Sequence, residues 1–169
     1  MEEFNPIEKL PELAELLREY NPIISRKSDK GYDGPDEASF CITVPGPGAN
    51  EGLMIEGSSS GEFILCYSYY HSHYSANEYE YSCMCEQIFD LLNSKCGCAA
   101  IFCANGDKCV GSKIIKKDEA SLPLEEIFHF VLKYNKLADE LCTNGIEARF
   151  VFWDSSLNKT EKLKIERLI

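Results

Sequence analysis

The feature that most constrains the fold is the switching of hydrophobic period along the chain between the helical 3.6 and the strand value of 2. Within residues 11–20, Leu13, Ala14, Leu16, Leu17 and Tyr20 recur at helical spacing. Asn21-Pro22 closes that helix, because proline keeps the residue before it out of the helical region. β-rich runs follow at residues 39–44, 53–56 and 62–70, separated by turn residues, and predict a three-stranded antiparallel meander. Helical period returns with Tyr81, Met84, Cys85, Ile88, Leu91 and Leu92, behind the capping-box sequence Ser75-Ala76-Asn77-Glu78. A third stripe runs through Leu124, Ile127, Phe128, Val131, Tyr134, Ala138 and Leu141 and ends at Asn144-Gly145.

Between the second and third helices, the apolar run 98–103 and the segment 108–115 flank an Asn105-Gly106 turn and predict a hairpin. A final strand, 146–153, alternates Ile146, Ala148, Phe150 and Phe152 against Glu147, Arg149, Val151 and Trp153. The lysine-rich tail from Asn158 reads as a last edge strand or a frayed end. This order is not the regular β-α alternation of a doubly wound fold. The expectation is α+β: one domain over residues 1–169, mainly antiparallel sheet, with about three helices packed on one face.

Composition narrows the class further. A chain of 169 residues, 44% hydrophobic and 11% aromatic, can bury one core, and no apolar run reaches the ~18 residues that cross a bilayer. The amino-terminal residues are acidic and carry no signal-peptide pattern, and the nine cysteines are an odd number. Reduced thiols in a cytoplasm account for both. A formal charge of -11 repels nucleic-acid phosphate and suits a basic protein partner or plain solubility.

The most suggestive segment is Tyr70-His71-Ser72-His73-Tyr74, with Tyr67 and Tyr69 just before it. Residues two apart in a strand point the same way, so His71 and His73 could present two imidazoles to one metal ion, with Cys66, Glu78 or Glu80 completing the set. The bland alternative is that both rings face water, and no third histidine has a matching spacing. Tyrosine and histidine together also make recognition surfaces, because their apolar bodies and polar tips lose few rotamers on binding.

Other motifs reduce to packing. Cys83 and Cys85 lie ~200° apart around a helix and cannot grip one ion together, so Cys85 reads as part of the apolar stripe and Cys98, beside Cys96, as part of a buried strand. Gly57-Ser58-Ser59-Ser60-Gly61 matches the nucleophile-elbow pattern, but a strand rather than a helix follows it, which makes it a hairpin loop. His129 sits between Glu125 and Lys133 on the polar face of its helix. Nucleotide-binding fingerprints are absent, so no cofactor is expected.

The His-x-His segment, the later Gly106-Asp107-Lys108-Cys109-Val110-Gly111-Ser112 hairpin and the closing Phe150-Val151-Phe152-Trp153-Asp154-Ser155 together resemble small bacterial immunity proteins of polymorphic toxin systems. The chain has Tyr74-Ser75 where such sequences carry an acidic residue soon after the second histidine, and Asp154 where they carry glycine. The resemblance implies a cytoplasmic protein that binds and blocks a cognate basic toxin without chemistry of its own. The expected function is thus a non-enzymatic acidic protein-binding domain with Tyr70, His71, His73, Tyr74 and Trp153 as contact residues, and with no catalytic or metal residue assigned. The alternative is a metal-binding module or metal-dependent enzyme using His71 and His73. A third reading has the 146–153 strand added to the sheet of another chain.

Overall fold

Leucines spaced three and four apart, with proline near the start, set the first helical segment in place. A computed structural model describes residues 3–32, 34, 38–47, 52–103, 109–129 and 145–163. A 3-10 turn at Pro6–Lys9, capped by the Asn5 side chain, leads into α1 (Leu10–Leu16), and a second 3-10 turn at Arg18–Tyr20 ends on Asn21 with a left-handed φ of 52°. Leu10, Leu13 and Leu17 are buried, whereas Leu16, expected in the apolar stripe, is 42% exposed. The buried line therefore runs i, i+3, i+7 and leaves Leu16 off its edge.

The chain divides into two compact units, Met1–Phe89 and Asp90–Ile169. The first holds a five-stranded antiparallel sheet whose strands lie in chain order: β1 (Ile23–Arg26), β2 (Ala38–Val44), β3 (Leu53–Ser58), β4 (Glu62–Tyr67) and β5 (Tyr70–Ser75). The expected meander is its centre, with one further strand on each side. The run read as 62–70 breaks at Ser68, whose φ is 53°, so that Tyr67 pairs with Tyr70 across a two-residue turn. Such turns favour Asn-Gly, and Ser68-Tyr69 carries no comparable local signal.

Helix α2 (Glu78–Leu92) buries Tyr81, Met84, Ile88, Leu91 and Leu92, the stripe expected from its period. Its cap is one turn-residue pair later than the capping box implies. Asn77 Oδ1 accepts the Glu80 N–H at 3.0 Å, while Ser75 is the last residue of β5 and pairs with Glu62. The sheet face that α2 covers carries Phe40, Ile42, Ile55, Phe63, Leu65 and Tyr67, all fully buried. The Phe63 ring lies 5.5 Å from that of Tyr81, and Phe4 packs 6.2 and 6.1 Å from the two.

The second unit builds a four-stranded antiparallel sheet from β6 (Cys96–Cys103), β7 (Cys109–Lys116), β8 (Ile146–Val151) and β9 (Lys159–Leu163), in the order β7-β6-β8-β9. α3 (Leu124–Ile127) lies beyond a 3-10 turn at Glu119–Ser121, and Leu124, Ile127 and Phe128 pack into one cluster with Ala99, Ile101, Ala148 and Phe150. The expected alternation along β8 is present up to Phe150, but the strand stops at Val151, two residues short of Trp153. The tail after Asn158 forms β9, the edge strand. Because β8 is flanked by β6 and β9, its ladder is full and cannot extend another chain's sheet. The rest of the third stripe, Val131 to Leu141, and the turns at Asn105-Gly106 and Asn144 lie outside the described residues.

The architecture is α+β, with two antiparallel sheets where the strand pattern alone reads as one. In chain order the 15-residue helix α2 falls between the two strand series. No helix among the described residues is long and apolar enough to cross a membrane.

Candidate functional site

Strand β5 lies at the edge of its sheet, and the pleat decides what its alternating side chains can do. His71 and His73 project to one side and are exposed, with ring centroids 5.5 Å apart. Tyr70, Ser72 and Tyr74 project to the other. Tyr74 is only 8% exposed, and its hydroxyl donates to Gln87 Oε1 on α2. Burial raises the Tyr74 pKa, so the phenol stays protonated as a donor.

The five residues singled out from sequence are therefore divided. His71 and His73 stand together on an outer face, Tyr74 belongs to the packed face with Tyr70 half-buried on the same side, and Trp153 is a half-buried residue of the other unit. Tyr67 is wholly buried and Tyr69, at the turn, is 41% exposed.

Strand register shows what the imidazoles keep company with. Directly paired residues of neighbouring strands share a face, and the pairings align Ile23, Thr43, Met54, Cys66 and His71 in one row across the sheet. A second row runs Ser25, Cys41, Glu56, Ile64 and His73. At ~4.8 Å per strand the two rows cross about 19 Å of outer sheet. Exposure is graded over them: Cys41 and Glu56 at the centre are each 8% exposed, while Ile23 on one edge is 63% exposed and both imidazoles on the other edge are open. His73 Nδ1 lies 3.3 Å from Glu62 Oε2 on β4, a hydrogen bond when that nitrogen carries the proton.

Two chemistries can be weighed on this face. For a metal, Glu78 is engaged elsewhere, in an ion pair at 3.0 Å with Lys9, and among the described residues no group of three or more His, Cys, Asp or Glu side chains is placed to hold an ion. For a nucleophile, Cys66 is paired across the ladder with His71, the juxtaposition that cysteine catalysis uses. Here the thiol is pushed the wrong way. Burial first, then the charges of Glu56 and Cys41, raise its pKa, whereas a reactive cysteine needs a lowered one. The arrangement holds the thiol protonated and presents apolar area, the carboxylates of Glu56 and Glu62 and two imidazoles.

The remaining cysteine motifs are structural. Cys98 is fully buried and Cys96 is 7% exposed, with its thiol pushed up to about 11 by burial and then by Asp90. Cys85 is half-buried on α2. The Gly57–Gly61 segment joins β3 to β4, and its serines bond to each other, with Ser58 Oγ 2.7 Å from Ser60 Oγ.

Reading the sequence missed Cys41, Glu56 and Ile64. The period-2 runs signalled that each strand has two faces, but only register brings these three beside His73. Compared with known protein families, curated proteins and solved structures, the chain finds no match.

Proposed function

We propose that this protein is a non-enzymatic binding protein that holds a basic protein partner on the outer face of its five-stranded sheet, as an immunity protein holds and blocks a toxin. One observation carries the reading: Glu56, 8% exposed, sits among apolar side chains at the centre of that face, with His71 and His73 at its rim. A drier centre beside a polar, hydrated edge, with an exposed apolar side chain, Ile23, on the other edge, suits a protein interface. Carboxylates on that face, Glu56 at its centre and Glu62 beside His73, favour a partner that carries lysine or arginine. A twofold contact through the middle of this face would set Glu56 against its own counterpart, and like charge disfavours it.

The chain's charge of -11 adds long-range attraction for a basic partner. The protonated thiol of Cys66 beside His71 supports holding over chemistry. All eight cysteines among the described residues are free thiols, which suits a reducing bacterial cytoplasm.

The test is affinity capture from the source cells with wild-type protein, with Glu56→Arg, with a His71→Ala/His73→Ala pair, and with Glu125→Arg as a control of equal charge change in the other unit. A basic polypeptide should be captured by the wild type and by the control. The Glu56→Arg variant should bind it at least thirtyfold more weakly, the low end of the ~2–5 kcal/mol that a buried interfacial charge commands. Undiminished capture by Glu56→Arg and by the histidine pair, or turnover of any captured molecule, would overturn the reading.

A further inference from the structure

The inner side of the same sheet ends at β1 in a feature of opposite sign. Ile7, Leu10 and Pro11, from the first 3-10 turn and the start of α1, form one wall of a cavity of about 480 Å³. Arg26, Lys27, Ser28 and Ser39 form the other. The size falls within the ~300–1,000 Å³ of small-molecule sites, and the lining has their usual character of apolar walls with a few convergent polar groups.

Backbone geometry explains why consecutive residues line one space. Arg26 is the last residue of β1 and pairs with Phe40, placing it in the row Arg26, Phe40, Gly57, Phe63 and Tyr74 on the packed face. The chain then turns, with the Asp29 N–H donating to Arg26 O at 2.9 Å and the Arg26 N–H donating to Asp29 Oδ2 at 2.8 Å. The Lys27 N–H donates to Ser39 O at 3.0 Å, which ties the turn to β2. Lys27 and Ser28 are thereby brought round to the same opening as Arg26.

In a chain with 28 acidic and 17 basic residues, the described residues of this lining include two cations and no carboxylate. None of the ion pairs formed among the described residues involves Arg26. We infer that the cavity is a binding site for a small organic anion, a carboxylate carried on an apolar body. Its carboxylate accepts from the Arg26 guanidinium, whose planar fork matches two oxygens, with Lys27 and the two hydroxyls around it. Its apolar body lies on Ile7, Leu10 and Pro11. The inference does not depend on the partner proposed for the outer face.

Sodium decanoate and its neutral counterpart 1-decanol, each titrated into the full chain by calorimetry at 150 mM salt, test it. Decanoate should saturate a single site and bind at least about tenfold more tightly than decanol, the effect of one charge-assisted hydrogen bond. An Arg26→Gln/Lys27→Gln variant, at two exposed positions, should remove that preference while melting like the wild type. Pro11→Glu places a carboxylate on the wall in the first turn of α1, where an acid suits the helix end, and should abolish decanoate binding. Equal affinity for acid and alcohol, unsaturable uptake, or full decanoate affinity in both variants would overturn the inference.

Discussion

Replacing Gly97 by alanine introduces a single methyl group where β6 has no room for one. The added Cβ would lie 2.6 Å from Phe152 Cδ1, 2.6 Å from the Val151 carbonyl oxygen and 2.8 Å from Phe152 Cε1. Ordinary contacts to a methyl carbon are about 3.5–4.0 Å. Neither neighbour can yield cheaply: Phe152 is 1% exposed inside the core cluster, and the oxygen belongs to the end of β8. Relief requires β6 and β8 to part, although Cys98 and Val151 are paired there.

Overpacking of this kind costs about 1–3 kcal/mol. Gly97 is not among the described glycines with positive φ, so alanine fits its backbone and returns ~0.4–1 kcal/mol through the unfolded state. The net expectation is a loss of about 1–2 kcal/mol, or a Tm lower by roughly 2–8 °C for a chain of this length. Urea denaturation followed by circular dichroism measures it. Gly61→Ala separates space from strain: its site has nothing within 4 Å but a φ of 91°, so only the ~1–2 kcal/mol of a left-handed backbone is at stake. Trimming the obstacle with Phe152→Leu in the Gly97→Ala background should recover part of the loss beyond what additivity gives. A Gly97→Ala protein as stable as the wild type, or more so, would refute the steric argument, since without the clash the substitution stabilises.

Two further outcomes follow from the local geometry. Asn77→Ala should cost about 1 kcal/mol by leaving the Glu80 N–H without its cap, whereas Ser75→Ala should stay within ~0.5 kcal/mol, and thermal melts of the two variants compare them. Because the folded protein raises the Cys96 pKa from the ordinary thiol value of 9.0 to about 11, its stability contribution is complete below pH 9 and is lost as pH climbs towards 11. Denaturation at pH 8 and pH 10.5 should show a decline on the order of 2 kcal/mol attributable to this residue that a Cys96→Ala protein lacks, and an identical pH slope in the two proteins would contradict it.

How much of this was legible beforehand depended on whether the signal was local. The α2 stripe from Tyr81 to Leu92, the alternation from Ile146 to Phe150 and the buried run to Cys103 were all readable, because burial along one helix face or one pleat repeats at a fixed interval in the chain. β1 was not: four residues, Ile23–Arg26, are too few for a period to show. Nor was the turn at Ser68, since its left-handed backbone sits on a residue type that seldom signals one.

Sequence by itself determined the class of elements and which positions alternate. Tertiary structure decided which alternating set is covered: α2 takes the side of Tyr74, and His71 and His73 are left on the other. It also decided the company those rings keep, because pairing through three ladders brings Cys41, Glu56 and Ile64, from strands separated by loops of different length, into one line with His73. Periodicity is a property of neighbours along the chain, whereas register is a property of neighbours across it, set by long-range burial that no single segment encodes.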